Sequence, residues 1–231
     1  MKTAISFAFF AALVLAANAA WAAGPPTLKG SYYLSLFGMW EMPQTAKVSR
    51  GFNGESSLEV KPDAGFGGGG AIGHKFDDFR LEIQAAYSTH DINEASELTG
   101  ANQNVRQKVA ATGTIEMTTL MVNGIYDIPG SPFFTPYIGA GAGAAFIKAD
   151  NVRLLNGGQG FIDDSTTAPA FQGLAGFAVA LTDNVAVDLG YAFLYVSDPS
   201  ATITGGRNDG ISDTVDNAIL HRINLGLRYS F

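Results

Sequence analysis

The side chains best suited to acid–base or nucleophilic chemistry are the three histidines, His74, His90 and His221. A hydrolytic site needs a histidine within hydrogen-bond reach of a nucleophile or a carboxylate. Asp91 follows His90 directly, but no serine can be placed beside this pair from the sequence. Alternation of apolar and polar residues puts His74 and His221 on the outer faces of predicted strands. The histidine pattern therefore disfavours a catalytic site.

The run GFGGGG at residues 65–70 formally matches the G-x-G-x-x-G pattern of dinucleotide-binding proteins. That pattern binds a nucleotide only where a strand precedes it and a helix follows it. Here the run continues into a predicted strand, in which glycine relieves crowding or permits bending. The sequence therefore predicts no cofactor.

Aspartates in two polar segments could bind Ca²⁺, but they do not have EF-hand spacing, and solvated loop carboxylates are commoner. They are Asp163, Asp164, Asp209, Asp213 and Asp216. The chain has no cysteine, which excludes disulfides and thiolate metal sites. A net charge of −7 argues against a nucleic-acid partner. We predict no dedicated metal site.

The elements that would position these residues are strands, and the clearest is residues 221–231. Ile223, Leu225 and Leu227 alternate with polar or small residues, and the segment ends on an aromatic, Phe231. A strand that is apolar on one whole face is an aggregation hazard in water. It is typical of a lipid-facing strand in a membrane β-barrel.

Seven more alternating runs precede this one, joined in turn by short turns and long polar loops. We place strands at about 30–40, 64–76, 79–88, 115–127, 134–147, 170–181, 185–196 and 221–231. The long loops fall at about 42–62, 89–113, 148–169 and 197–217. This pattern predicts an all-β fold, an eight-stranded antiparallel transmembrane β-barrel with up-and-down meander topology. A secreted β-sandwich is the alternative, but it requires a water-facing side on each strand.

The inner faces of these strands carry a set of polar residues. An eight-stranded barrel is only wide enough inside for side chains to fill it, and buried charges need partners. We therefore predict an internal polar network in which Glu82 and Asp188 neutralise the arginines, with little or no conductance. The predicted set is Arg80, Glu82, Gln84, Asn123, Asp188, Arg222, Asn224 and Arg228. The facing of the glycine-rich strand at 134–147 is left open.

Outward aromatic residues fall near the two ends of the predicted strands, as expected for the two membrane interfaces. They are Tyr32, Trp40, Phe76, Phe79, Tyr87, Tyr126, Phe134, Phe146, Phe171 and Tyr195.

The N-terminal segment combines a positive start at Lys2, an apolar stretch at 5–17 and the small-residue site Ala20-Trp21-Ala22. This pattern predicts a secretory signal peptide over residues 1–22, with the barrel over 23–231. An uncleaved anchor is the alternative. Export together with alternating strands predicts the Gram-negative outer membrane.

Three segments carry a resemblance to a family: 123–127 (NGIYD), 135–143 (TPYIGAGAG) and 225–231 (LGLRYSF). The chain resembles the small eight-stranded outer-membrane barrels, which include the OmpA-type transmembrane domain, the opacity proteins and the rickettsial-type surface antigens. The resemblance implies that Tyr229 and Phe231 form the signal read by the barrel-assembly machinery. We expect no peptidoglycan-binding domain after the barrel, unlike the full-length OmpA pattern, so the resemblance does not imply anchoring to the cell wall.

The resemblance further implies a non-enzymatic protein with a structural or surface-interaction role through four extracellular loops. Its expected surroundings are outer-membrane lipid and lipopolysaccharide, with a host or surface ligand at the loops. A small porin or transporter is the second hypothesis, and a lipid-modifying barrel enzyme is the third.

Overall fold

The computed structural model describes residues 28–44, 46–50, 56–60, 62–99, 105–130, 133–154, 161–197, 201–202, 212–215 and 217–231. The predicted signal peptide, residues 1–22, lies outside these ranges. Twelve strands are described: β1 (Tyr32–Pro43), β2 (Ala46–Arg50), β3 (Ser56–Val60), β4 (Gly65–Phe76), β5 (Phe79–Thr99), β6 (Val105–Asp127), β7 (Phe134–Leu154), β8 (Phe161–Ala180), β9 (Val185–Val196), β10 (Ala201–Thr202), β11 (Ser212–Val215) and β12 (Ala218–Ser230). Among the described residues, no helix has the length and apolar character needed to cross a membrane.

Eight strands close into an antiparallel barrel, which confirms the predicted fold. Going round the barrel, the order is β1, β4, β5, β6, β7, β8, β9 and β12, and β12 returns to β1. The closing pair runs from Tyr33 opposite Ser230 to Pro43 opposite Leu220. Every spanning strand thus has a hydrogen-bonded neighbour on each side, which removes free sheet edges from the bilayer.

The distribution of residue types is inverted relative to a water-soluble protein. Large apolar side chains such as Phe66 (72% exposed) and Leu36 (65% exposed) cover the outer surface. Charged side chains such as Arg80 (3%) and Glu82 (7%) are buried. This inversion is stable only where lipid surrounds the barrel.

The predicted short turns lie together at one end of the barrel, here called the turn end; the opposite end is the loop end. Phe76 pairs with Phe79, so Asp77 and Asp78 form a two-residue hairpin turn. Asp77 has φ +51°, as such turns require.

At the loop end the sequence-based prediction was wrong, because much of the segments 42–62, 89–113 and 148–169, which were predicted as long loops, is strand. β5 and β6 stay paired as far as Thr99 and Val105, beyond a bulge near Ile92. β7 and β8 continue to Leu154 and from Phe161 in the same way. The hairpin of β2 and β3 adds to the extended β5, and β11 adds to β2. Outside the bilayer neither face must be apolar, so alternation disappears while backbone pairing continues.

The structure also decides the facing of the glycine-rich β7. Ala140 and Ala142 are exposed on the outer surface. A Cβ built on Gly141 would overlap Asn123 Oδ1 in the lumen. The alanines therefore face lipid and the glycines face the lumen, where they leave room for side chains from neighbouring strands.

Candidate functional site

The lumen brings together the polar residues singled out from the sequence. Six of the eight predicted residues are buried, and Asp188 and Asn224 are partly buried: the buried six are Arg80, Glu82, Gln84, Asn123, Arg222 and Arg228. Alternation on β5, β6, β9 and β12 turns all eight side chains inward. Their individual partners depend on strand register and are described next.

A charge cluster occupies the lumen near the turn end. Asp127 accepts from Arg80 Nε at 2.8 Å and from Lys75 Nζ at 2.8 Å. On the opposite wall, Arg228 Nη2 lies 3.2 Å from Asp188 Oδ1. Arg80 is thus paired with Asp127, which sequence reasoning missed, and not directly with Glu82 or Asp188. Asp127 is the last residue of β6, and continued alternation along that strand would have found it.

Tyr33 connects this cluster to Glu82 across a glycine. Tyr33, Gly73 and Glu82 occupy one row of the sheet, on β1, β4 and β5. The tyrosine hydroxyl donates to Glu82 Oε2 at 2.8 Å. A Cβ on Gly73 would overlap Cζ and the hydroxyl oxygen of Tyr33, so the missing side chain makes the crossing possible. The Arg80 guanidinium lies 5.7 Å from the Tyr33 ring centre and 4.9 Å from that of Tyr137.

An amide layer lies above the charge cluster. Asn123, Gly141 and Gln172 form a second row, on β6, β7 and β8. Gln172 Nε2 donates to Asn123 Oδ1 at 2.6 Å and to Gln84 Oε1 at 2.9 Å. Asn123 Nδ2 donates to Glu82 Oε1 at 2.9 Å, which joins the two layers. Gln172 was also missed from the sequence, although its odd-numbered neighbours were assigned outward.

The lumen nearer the loop end holds a second polar group on one side. Glu41 Oε2 accepts from Arg222 Nε at 2.8 Å, and Glu41 is 0% exposed. The prediction that Glu82 or Asp188 neutralises Arg222 was therefore wrong. The partner is Glu41, which lies directly opposite Arg222 in the closing pair of strands. Sequence reasoning ended the first strand at Trp40, one residue before Glu41.

His90 also belongs to this group. The prediction that it lies in a loop was wrong, because β5 continues past it. It lies on β5 and is 3% exposed, with Nε2 3.5 Å from Glu41 Oε1. Arg222 Nη1 also donates to Thr119 Oγ1 at 3.4 Å. The group of Glu41, His90 and Arg222 is called the mouth triad below.

The other side of the lumen at this level is apolar. Its buried residues are Met117, Met121, Ala145, Ala168, Ala170, Leu194, Val196 and Leu220. Met121 pairs with Gln84, and Leu194 with Gln172, so this packing begins at the amide layer. Below it, a cavity of about 70 Å³ is lined by Arg80, Tyr137 and Asp188, among other residues. A cavity of this size has room for a few water molecules only.

The remaining candidates lie apart from the lumen. His74 sits between outer-surface aromatics, with its ring 4.4 Å from that of Tyr32 and 4.2 Å from that of Phe76. His221 Nδ1 lies 2.6 Å from the Tyr191 hydroxyl. Asp209 and Asp216 lie outside the described residues, as do the side chains of Asp163, Asp164 and Asp213. The residues 65–70 of the glycine run form part of β4, with no helix after them.

With this architecture established, comparison with known proteins identifies the family. The model of a family described as surface antigen matches residues 32–202. The chain belongs to this surface antigen family. The match covers β1 to β10, and therefore most of the barrel.

Relatives and solved structures agree with this assignment. The chain is 29% identical to the outer membrane protein PagN of Salmonella typhimurium, over 96% of this chain and 99% of that protein. It is 28% identical to an outer membrane protein of Gluconacetobacter diazotrophicus, over 100% of this chain and 64% of that protein. The fold is similar to that of OprG from Pseudomonas aeruginosa, with a TM-score of 0.58 at 15% identity over 90% and 99% of the two chains. Neisserial surface protein A gives a TM-score of 0.52 at 20% identity over 87% and 97%.

These findings place the protein in the outer membrane. The inverted surface, the closed barrel and the relatives described as outer membrane proteins all agree. The protein is an integral outer-membrane β-barrel.

Proposed function

We propose that the protein is a non-enzymatic surface protein whose loop-end sheet meets partners outside the cell. The observation that carries this proposal is the length of the strands. β5 has 21 residues and β6 has 23. About 9–11 residues per strand suffice to cross the bilayer. Roughly half of this hairpin therefore projects beyond the membrane, where β2, β3 and β11 widen it.

The filled lumen supports a role at the surface over one in transport or catalysis. A small porin needs a continuous passage, whereas the layers of charged, amide and apolar side chains occupy the described lumen. A hydrolase needs an acid–base pair that substrate can reach. Among the described residues, His90 and Glu41 come closest to an acid–base pair, but both are buried, with exposed fractions of 3% and 0%.

The same proposal includes the surroundings of the barrel. In this proposal the loop end faces outward, which puts the exposed side chains of Trp40, Tyr87 and Phe171 in contact with the lipopolysaccharide leaflet. At the turn end, the exposed Tyr229 and Phe231 are available to the barrel-assembly machinery during insertion. Aromatic residues favour both interfaces because one part of the ring is apolar and another polarisable or hydrogen-bonding.

The test removes the projecting hairpin and leaves the spanning strands intact. Ile92 and Gly113 are paired, so residues 93–112 can be replaced by an Asn-Gly turn. A control replaces only residues 100–104 with Ser-Gly-Ser-Gly-Ser and keeps the strand extension. Both variants are displayed on a Gram-negative host and checked for heat-modifiable gel migration.

We expect the shortened variant to form the barrel but to lose antibody access on intact cells and retention of the bacteria on a cultured cell layer. The control should keep both. Equal retention of bacteria carrying the shortened variant would contradict the proposal.

A further inference from the structure

Three polar side chains form a hydrogen-bonded chain on the outer surface of the barrel, which large apolar side chains otherwise cover. Gln44 Nε2 lies 2.8 Å from His221 Nε2, and His221 Nδ1 lies 2.6 Å from the hydroxyl oxygen of Tyr191. Gln44 directly follows β1, His221 lies on β12 and Tyr191 lies on β9. The backbone holds Gln44 at this place, because its N–H donates to Ile219 O at 2.8 Å. The chain of side chains therefore extends across the closing pair of strands to β9.

This chain lies at the loop-end rim of the spanning region. Tyr191 shares one row of the sheet with Ile223 and Trp40, and Trp40 is one of the exposed aromatic residues near this rim. His221 pairs with Phe193, two residues closer to the loop end. Aromatic residues collect at the depth where acyl chains meet headgroups, so lipid contacts the polar chain at that depth. Four residues are called the rim patch below: Gln44, Tyr191, Phe193 and His221.

The hydrogen bonds along this chain run in one direction. The amide nitrogen of Gln44 can only donate, so His221 Nε2 accepts and the ring proton lies on Nδ1. Nδ1 donates to the Tyr191 oxygen, whose own O–H has no acceptor among the residues that the structure describes. A hydroxyl that faces lipid without an acceptor is costly. The rim patch thus presents one hydrogen-bond donor to the surrounding lipid.

Packing between rings holds that donor in place. The ring of Tyr191 stacks on that of His221, with centres 6.0 Å apart and an angle of 28° between the planes. The ring of Phe193 meets that of His221 edge-on at 5.7 Å. Tyr191 and Phe193 are 42% and 38% exposed, so a lipid molecule can reach both rings. With His221 neutral, the rim patch carries no formal charge, which favours a carbonyl oxygen over a phosphate as the acceptor.

We propose that the rim patch binds one lipopolysaccharide molecule, with the Tyr191 hydroxyl donating to the carbonyl oxygen of an amide-linked acyl chain. Amide carbonyls are strong hydrogen-bond acceptors. Lipopolysaccharide attaches some of its acyl chains through amides, whereas glycerophospholipids attach theirs through esters. Phe193 packs against the acyl chain beside that linkage. The choice of this lipid rests on the orientation in the proposed function, in which the loop end faces outward.

The test compares how tightly purified barrels hold two lipids. Protein in detergent micelles is titrated with deep-rough lipopolysaccharide and, separately, with phosphatidylethanolamine, and native mass spectrometry gives the occupancy of each lipid. Tyr191→Phe removes the donor and keeps the ring. Tyr126→Phe is the matched control, because Tyr126 is 43% exposed on the outer surface at the turn end, away from the rim patch. Heat-modifiable gel migration checks the fold of each variant.

We expect the wild type and Tyr126→Phe to bind lipopolysaccharide about tenfold more tightly than phosphatidylethanolamine, as for one net hydrogen bond. Tyr191→Phe should lose that preference and bind the phospholipid as before. An unchanged lipopolysaccharide affinity in Tyr191→Phe, or an equal loss for both lipids, would overturn the proposal. If Tyr191→Phe does not fold, the preference of the wild type decides the matter, and its absence rejects the site.

The proposed function fails in a different experiment. A preference for lipopolysaccharide that depends on Tyr191, together with no retention of the bacteria on a cell layer, would reject only the proposed surface function. Retention without that preference would reject only the lipid site.

Discussion

At the scale of single residues, the buried polar groups are organised in rows that cross inward-facing glycines. Tyr33 reaches Glu82 across Gly73, and Asn123 meets Gln172 across Gly141. Each long side chain lies over the position where a Cβ would have been. The glycines thus act by leaving space and not by backbone freedom.

The first prediction tests this space. Gly73→Ala would place a methyl group in steric overlap with the hydroxyl end of Tyr33, which is 2% exposed and has little room to move. We expect a loss of about 1–3 kcal/mol in the free energy of unfolding, as for an overpacked core. Gly38→Ala is the matched control, because its Cβ meets nothing within 4 Å. Urea unfolding in lipid vesicles, followed by heat-modifiable migration, measures both. Similar losses in the two variants would contradict this explanation.

The second prediction concerns the pair of Glu41 and Arg222. Arg222→Met leaves a buried carboxylate without its main partner and should cost about 3–5 kcal/mol. The double variant with Glu41→Gln should recover most of that loss, because no isolated charge remains. Arg228→Met is the comparison, and it should cost less, because the side chain of its partner Asp188 is 20% exposed. The same unfolding assay gives the coupling free energy. Additive losses in the double variant would show that the two residues act independently.

At the scale of elements, each long strand has two regions with different chemistry. Between the turn end and Ser88, the outward residues of β5 are apolar and most of the inward ones are polar. Beyond the bulge the strand remains paired without that alternation. In the spanning region the outward side chains must be apolar because they contact lipid. The projecting region requires only backbone hydrogen bonds.

The third prediction follows from this division. Ile83 is 53% exposed within the spanning part of β5, and Ile128 is 40% exposed just beyond β6 at the turn end. Ile83→Arg should destabilise the barrel by about 2–4 kcal/mol, and Ile128→Arg by roughly 0–1 kcal/mol. Unfolding from vesicles measures the difference. Equal costs would place the bilayer at a different height on the barrel.

At the scale of the whole molecule, closure between the first and last spanning strands assembles the lumen. Arg222 and Glu41 are 181 residues apart along the chain and become neighbours only when β12 meets β1. The charged layer, the amide layer and the mouth triad are then stacked along one axis. This stacking leaves the barrel filled.

The fourth prediction is that the folded protein conducts no sustained current. In a planar bilayer, purified barrel should give no stable single-channel steps above the lipid background, because an interior of this strand number is filled by side chains. The hairpin-shortened variant should behave identically, since its lumen is unchanged. Reproducible steps from the wild type would revive the porin hypothesis.

The sequence by itself determined the number of spanning strands and, apart from the glycine-rich β7, which face of each strand is apolar. It also indicated most inward polar residues of β5, β6, β9 and β12, but it missed Asp127 on β6 and His90 on β5. These follow from local alternation, which lipid imposes on every spanning strand. Alternation carried one residue beyond Trp40 would also have placed Glu41 in the lumen.

Only the tertiary structure decided which inward residues meet and where the strands end. Partners depend on the stagger between strands, so Arg80 reaches Asp127 by a diagonal contact while Arg222 meets Glu41 directly. The projecting sheet was hidden because its pairing is made by backbone groups, which are the same for every residue type. The approach of His90 to Glu41 and to the backbone carbonyl of Asp63 required three separate segments to reach the barrel mouth together, and no local pattern encodes that meeting.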